Sequence, residues 1–122
     1  DAFVAGRPLP PPPEGDERLV TGAAGSVGVA QGRVRRLDRI EDADQLLPGE
    51  VLVTPLTNIG WTPVFPRAGA IVTDLGAPLS HAAIVARELG IPAVVGCGDA
   101  TARLATGDLV RVDGGRGTVE VL

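Results

Sequence analysis

Lysine is missing from this chain; its 11 basic residues are all arginine. They are scattered, apart from Arg33, Arg35 and Arg36, and the formal net charge is −4. No basic footprint for nucleic acid results. The mild acidity favours solubility and says nothing more about partners. Aromatic mass is scarce: Trp61, Phe3 and Phe65 are all there is. With 44% apolar residues, the core has to pack from Val, Leu, Ile and Ala. Cysteine occurs once, at Cys97, which excludes an internal disulfide and a cysteine metal cluster. A reducing compartment fits that usage. No apolar run approaches bilayer length and no signal-peptide pattern is present, so the expectation is a cytoplasmic chain with no membrane partner. Histidine also occurs once, at His81.

A length of 122 residues predicts one domain. The stretch "RPLPPPPEGDER", residues 7–18, can build neither helix nor sheet and reads as extended, polyproline-like chain. Residues 1–20 are therefore expected to be a proline-rich linker or tail, and 21–122 the folded domain. A linker is the preferred reading, since a prolyl run keeps two bodies apart at low entropic cost.

Within the domain, 26–36 suits a strand with glycine irregularities. "RIEDADQLLPGE" reads as a short acidic helix stopped by Pro48-Gly49. "EVLVTPL" and "AIVTD" are buried strands. Two prolines in "WTPVFPRAGA" forbid a long helix, although Pro63 suits a first turn. A helix is predicted over 81–89, closed by Gly90. "PAVVG" is a short strand, "DATARLAT" a helical turn, and "GDLVRVDGGRGTVEVL" two strands around a glycine-rich hairpin turn. Mixed strands and short helices indicate a compact α/β domain.

His81 stands at the mouth of the predicted helix. Ser80 is a favoured N-cap residue. The first-turn N–H groups of Ala82, Ala83 and Ile84 have no carbonyl partner inside the helix. A positive charge sits badly there, which favours the neutral imidazole and its nucleophilic lone pair. The same N–H groups suit an arriving phosphate. Gly76 and Ala77 leave room for backbone to approach it. Position alone leaves two readings open: a phosphoryl-accepting nucleophile, or a helix-terminal histidine without chemistry.

The segment "GAPLSHAAIVARELGIPAVVG", residues 76–96, resembles the phosphohistidine signature of the phosphoenolpyruvate-utilising enzymes. That family includes phosphoenolpyruvate synthase, pyruvate phosphate dikinase, the first enzyme of the sugar phosphotransferase system and rifampicin phosphotransferase. "WTPVF" before the segment and "GDLVRVDGGRGTVEVL" after it resemble the flanks of synthase-like members, so the likeness covers about residues 21–122. It implies a swivelling β/β/α phosphohistidine domain, a compact sandwich of small sheets with short helices. His81 matches the phosphorylated histidine, Ser80 the hydroxyl residue before it, and Gly76 the first glycine. Ala77 replaces the commoner second glycine. Arg87 matches the signature arginine; it lies about 240° round an ideal helix from His81, so a structural ion pair is at least as good a reading as phosphate contact.

The resemblance further implies a phosphoryl carrier working between an ATP-grasp nucleotide-binding domain, or a domain that handles phosphoenolpyruvate and pyruvate, and an acceptor domain of the same full-length chain. Mg²⁺ and ATP or phosphoenolpyruvate belong to those partners, and no cofactor or metal to this domain. The isolated domain is expected not to turn over alone. The rival readings are a non-catalytic interaction or regulatory module of the same fold and a free-standing histidine phosphocarrier. Asp74 is open between orienting His81 through Nδ1–H and a plain turn role. Trp61 and Phe65 are read as core or as a seam between elements. Cys97 reads as a small packed residue.

Overall fold

The computed structural model describes residues 19–57 and 59–122. Among them are eight strands: β1 (Leu19–Thr21), β2 (Ala23–Ser26), β3 (Val29–Arg36), β4 (Val51–Thr54), β5 (Ala70–Thr73), β6 (Ala93–Val95), β7 (Leu109–Asp113) and β8 (Thr118–Val121). The helices are α1 (His81–Leu89) and the single turn α2 (Ala100–Arg103). Two 3-10 segments, Ile40–Gln45 and Ile59–Arg67, complete the helical layer.

The strand order is β1-β8-β7-β3-β4-β5-β6-β2. β3 belongs to two layers. Its first half, Val29–Arg33, pairs antiparallel with β7, and its last residues, Val34–Arg36, pair parallel with β4. One layer is thus the antiparallel β1-β8-β7-β3. The other is the parallel β3-β4-β5-β6, with β2 antiparallel at its edge. The two ends of the order, β1 and β2, are separated in sequence by Gly22 alone, so the chain folds the sheets over one another. A Cβ at Gly22 would lie 2.5 Å from the Val95 carbonyl oxygen, so this crossing needs glycine.

Residue alternation along β4, β5 and β6 then makes two cores. Val51, Val53, Ala70, Val72 and Val94 face the antiparallel layer and meet Val20, Val110, Val112 and Val119. Leu52, Ile71, Ala93 and Val95 face the helical layer and meet Leu46, Trp61, Phe65 and the Ala82–Ala83–Ala86 stripe of α1. These are the β/β/α layers expected of a swivelling domain.

Several local expectations change. The domain begins before residue 21: Val20 is buried and pairs with Val119 in β1, so the boundary drawn after residue 20 falls inside a strand. Residues 1–18, with the proline-rich stretch, lie outside the described residues. The single strand expected over 26–36 is split, β2 ending at Ser26 and β3 opening at Val29. The acidic segment and the "WTPVFPR" segment are 3-10 rather than α-helical. Pro63 and Pro66 lie inside the second, and each withdraws a backbone donor that an α-helix would use.

Candidate active site

The C-terminal ends of the parallel strands β4 and β5 feed two neighbouring loops. The first leads through Thr57 into the second 3-10 segment; the second, residues 74–80, leads into α1. The loops are tied at their roots, where Leu75 N–H donates to the Pro55 carbonyl at 2.9 Å. Ligand sites of open α/β sheets gather at this edge. Here it brings His81, Thr57, Thr62 and Phe65 together.

His81 is the first residue of α1 and is partly buried. Its Nδ1 lies 2.9 Å from Thr57 Oγ1, and its Nε2 lies 3.2 Å from Thr62 Oγ1. The Phe65 ring meets the imidazole edge-on, with centroids 5.7 Å apart and planes at 72°. Thr57 is 4% exposed, whereas Thr62 is on the surface. A hydroxyl both donates and accepts, so this pair satisfies a neutral ring, one nitrogen giving its proton and the other receiving one. Nδ1 is the nitrogen with the buried partner. Nε2 is the nitrogen that faces outward.

The expected helix start at His81 and stop at Gly90 are present, the latter with φ +73°. Ser80 has the extended backbone of an N-cap, but its hydroxyl makes no capping bond; Oγ is buried and unpartnered. It is turned toward Gly76, where a Cβ would lie 3.0 Å away. Gly76 also has φ +128°, so glycine is required there twice over. The side chains of Ala82 and Ala83 are buried against the sheet, which leaves only their N–H groups to serve a ligand. The N–H of Ile84, expected to be free, instead donates to the Ser80 carbonyl at 3.0 Å.

The two supporting residues go elsewhere. Asp74 does not orient His81. Its carboxylate accepts from the Thr101 N–H at 2.9 Å and from the Thr101 hydroxyl, fastening the start of α2. Nδ1 has Thr57 in its place. Among the described residues Arg87 forms no ion pair, in place of the one read from sequence: Nη1 donates to the Gly25 carbonyl at 2.8 Å and Nη2 to the Pro78 carbonyl at 2.7 Å. Cys97 is a partly buried thiol that stays protonated at neutral pH. Burial, then the nearby carboxylates of Asp74 and Asp99, push its thiol up to about 12.

Sequence reasoning did not single out Thr57, Thr62 or the Phe65 contact with the ring. "WTPVF" was read for its prolines, its aromatics and its likeness to a family flank, and the hydroxyl of its second residue was passed over. A threonine at the outflow of a buried strand was the signal available for Thr57.

With this geometry in place, the relatives are informative. Residues 46–117 match the family described as the PEP-utilising enzyme, mobile domain. A phosphoenolpyruvate synthase of Aeropyrum pernix is 56% identical over 108 residues, covering 88% of this chain and 13% of its own length. A chondramide synthase of Chondromyces crocatus is 49% identical over 112 residues, covering 92% of this chain and 3% of its own. An Enzyme I solution structure superposes with a TM-score of 0.58 at 38% identity, over 66% of this chain and 33% of that one. The chain therefore spans a small part of the curated relatives it matches. The matched span takes in Thr57, Thr62, Phe65, the loop 74–80 and the whole of α1, and the chain belongs to the family of PEP-utilising enzyme mobile domains.

Proposed function

We propose that this domain carries a phosphoryl group on Nε2 of His81, between a donor domain and an acceptor domain of a larger phosphotransferase. The observation that carries the reading is the asymmetry of the ring: Nδ1 is turned inward to a buried hydroxyl, and Nε2 outward to an exposed one. In this reading Thr57 Oγ1 accepts a hydrogen bond from Nδ1–H, which goes with the tautomer whose lone pair is on Nε2. Thr62 donates to that lone pair at rest and has to release it before attack. The Nε2 lone pair then attacks phosphorus; the N–P bond forms while the P–O bond to the donor breaks, and the electron pair leaves with the donor oxygen. The N–H groups of Ala82 and Ala83 suit the arriving phosphoryl oxygens.

Charge neutralisation is the partners' task in this reading. Among the described residues the ring meets two hydroxyls and an aromatic edge, while Arg87 and Asp74 are committed elsewhere. Mg²⁺ with ATP, or phosphoenolpyruvate, would be held by the donor domain, an ATP-grasp domain or a pyruvate-handling one. The surroundings suit docking. Exposed Leu56, Leu75, Leu79 and Ile84 come from the same three segments that build the site. Exposed apolar side chains beside a site suit a contact surface.

In the full-length protein, incubation with the phosphoryl donor should add one phosphate to His81, acid-labile and alkali-stable. Intact-mass analysis reads it, and His81→Ala should abolish it. Equal labelling of the alanine variant would refute the assignment.

A further inference from the structure

We infer that Arg87 is a positioning residue: its guanidinium clamps the loop 76–79 to β2 and thereby sets where Ser80 and His81 stand. This rests on the carrier reading of His81.

Residues 76–79 are exposed throughout. Within the loop, Ser80 N–H donates to the Ala77 carbonyl at 2.8 Å. Among the described residues, the one hydrogen bond that reaches 76–79 from outside the loop is Arg87 Nη2 to the Pro78 carbonyl, at 2.7 Å. The other arm, Nη1, is anchored at 2.8 Å on the Gly25 carbonyl of β2, a strand held in the sheet by β6. The guanidinium thus spans from sheet to loop through two N–H groups of one rigid plane. A charged donor on a neutral carbonyl makes a stronger bond than a neutral one.

The clamp acts on the site through the chain. Pro78 is followed by Leu79 and then by Ser80, whose buried Oγ sits against Gly76. His81 comes next, and its ring is held by bonds of 2.9 and 3.2 Å, which tolerate only tenths of an ångström before weakening. A loop free to drift would carry Ser80 with it and misalign Nε2 against an in-line donor. The helix gives the reason that arginine stands six residues on. At that spacing its side chain leaves α1 toward β2 rather than toward the ring. Lysine, a single point donor, cannot hold both carbonyls in the same planar geometry.

The test is single-turnover phosphorylation of His81 in the full-length protein, comparing wild type, Arg87→Ala and Arg87→Lys. A misplacement near 1 Å costs about 100-fold in a transfer step, so Arg87→Ala should slow phosphorylation by about 10- to 100-fold. Arg87→Lys should fall between it and wild type. The KM for the phosphoryl donor should not move, because the donor binds on another domain. An Arg87→Ala rate within about twofold of wild type, or a loss expressed only in donor KM, would overturn the clamp. If Arg87→Ala does not fold, Arg87→Lys is judged by the same two criteria. Failure of the wild type to label at His81 would instead strike the carrier reading itself.

Discussion

In the proposed carrier role, Thr57 is the residue placed to select which nitrogen of His81 acts. Its hydroxyl is buried, 2.9 Å from Nδ1, and is the ring's inner partner. Thr57→Val keeps the volume and removes the oxygen. The ring's inner N–H then loses its acceptor in a buried site, at a cost of about 1–3 kcal/mol. The ring escapes that cost by moving its proton to Nε2, which removes the outward lone pair. Phosphorylation of Thr57→Val should therefore fall by at least about tenfold, the scale on which one hydrogen bond of about 1.4 kcal/mol acts. Thr57→Ser should retain most of the rate. Ring nitrogen NMR shifts of the full-length protein should show Nε2 protonated in the valine variant; an unchanged tautomer would count against the role given to Thr57. This residue also shows what a sequence can carry. His81, Ser80 and Gly76 announce themselves by type and order, because a local turn and helix start place them. Thr57 lies 24 positions before His81, and only the parallel pairing of β4 with β5 brings the two together.

At the scale of elements, the junction between the two sheet layers is held by charge as well as by the valine core. Arg35 of β3 meets Glu50, just before β4, through Nε–Oε1 at 3.0 Å and Nη2–Oε2 at 3.1 Å. Glu50 Oε1 also accepts from the Leu47 N–H at 2.8 Å, closing the turn that follows the first 3-10 segment. The hydrogen bonds from Arg35 hold the Glu50 carboxyl below its ordinary range, against the opposing effect of burial and with further help from Leu47 N–H. A carboxylate depressed in the folded state stabilises fully above its unfolded pKa, about 4.3, and loses that contribution as pH falls through the folded value. Glu50→Gln should accordingly be less stable than wild type by about 1.5–3 kcal/mol near neutral pH, the range for a hydrogen bond to a charged group. The difference should shrink as pH is lowered from about 5 to 3. Urea unfolding across that range reads it; a constant gap at every pH would mean that the pairing is not the cause.

The strands around this junction were legible because apolar runs bounded by turns fill a sheet buried on both faces. β1 and β2 were less so. They are short and rich in small residues, and they are defined by partners at the far end of the chain, β8 and β6. Their pattern is therefore tertiary rather than local. The 3-10 character of the segment before β5 was half legible: its prolines excluded an α-helix but did not say what would replace it.

On the scale of the molecule, the segments that build the His81 site also carry exposed apolar side chains, which the carrier reading assigns to docking. Leu79 is 81% exposed and Ile84 42%, on either side of the histidine in sequence. Neither belongs to the buried cores, so changing them should leave the fold within about 0.5 kcal/mol of wild type. Transfer is another matter. A carrier that travels between two domains has to form each encounter quickly and leave it again, which suits a small apolar rim better than a large interface. A carboxylate placed on that rim would lose the apolar contact and would also repel the phosphoryl donor, itself an anion. The double variant Leu79→Asp/Ile84→Asp in the full-length protein should melt within a few degrees of wild type. It should also bind its phosphoryl donor with unchanged affinity and phosphorylate His81 at least about tenfold more slowly, the loss that about 1.4 kcal/mol of docking energy produces. Raising the salt concentration should recover the part of the loss that comes from repulsion, since exposed charges are screened over about 10 Å at 0.1 M, and should leave the part that comes from lost apolar contact. Wild-type rates in the double variant would show that docking uses another face of the domain, and the exposed leucines around His81 would then have no part in transfer.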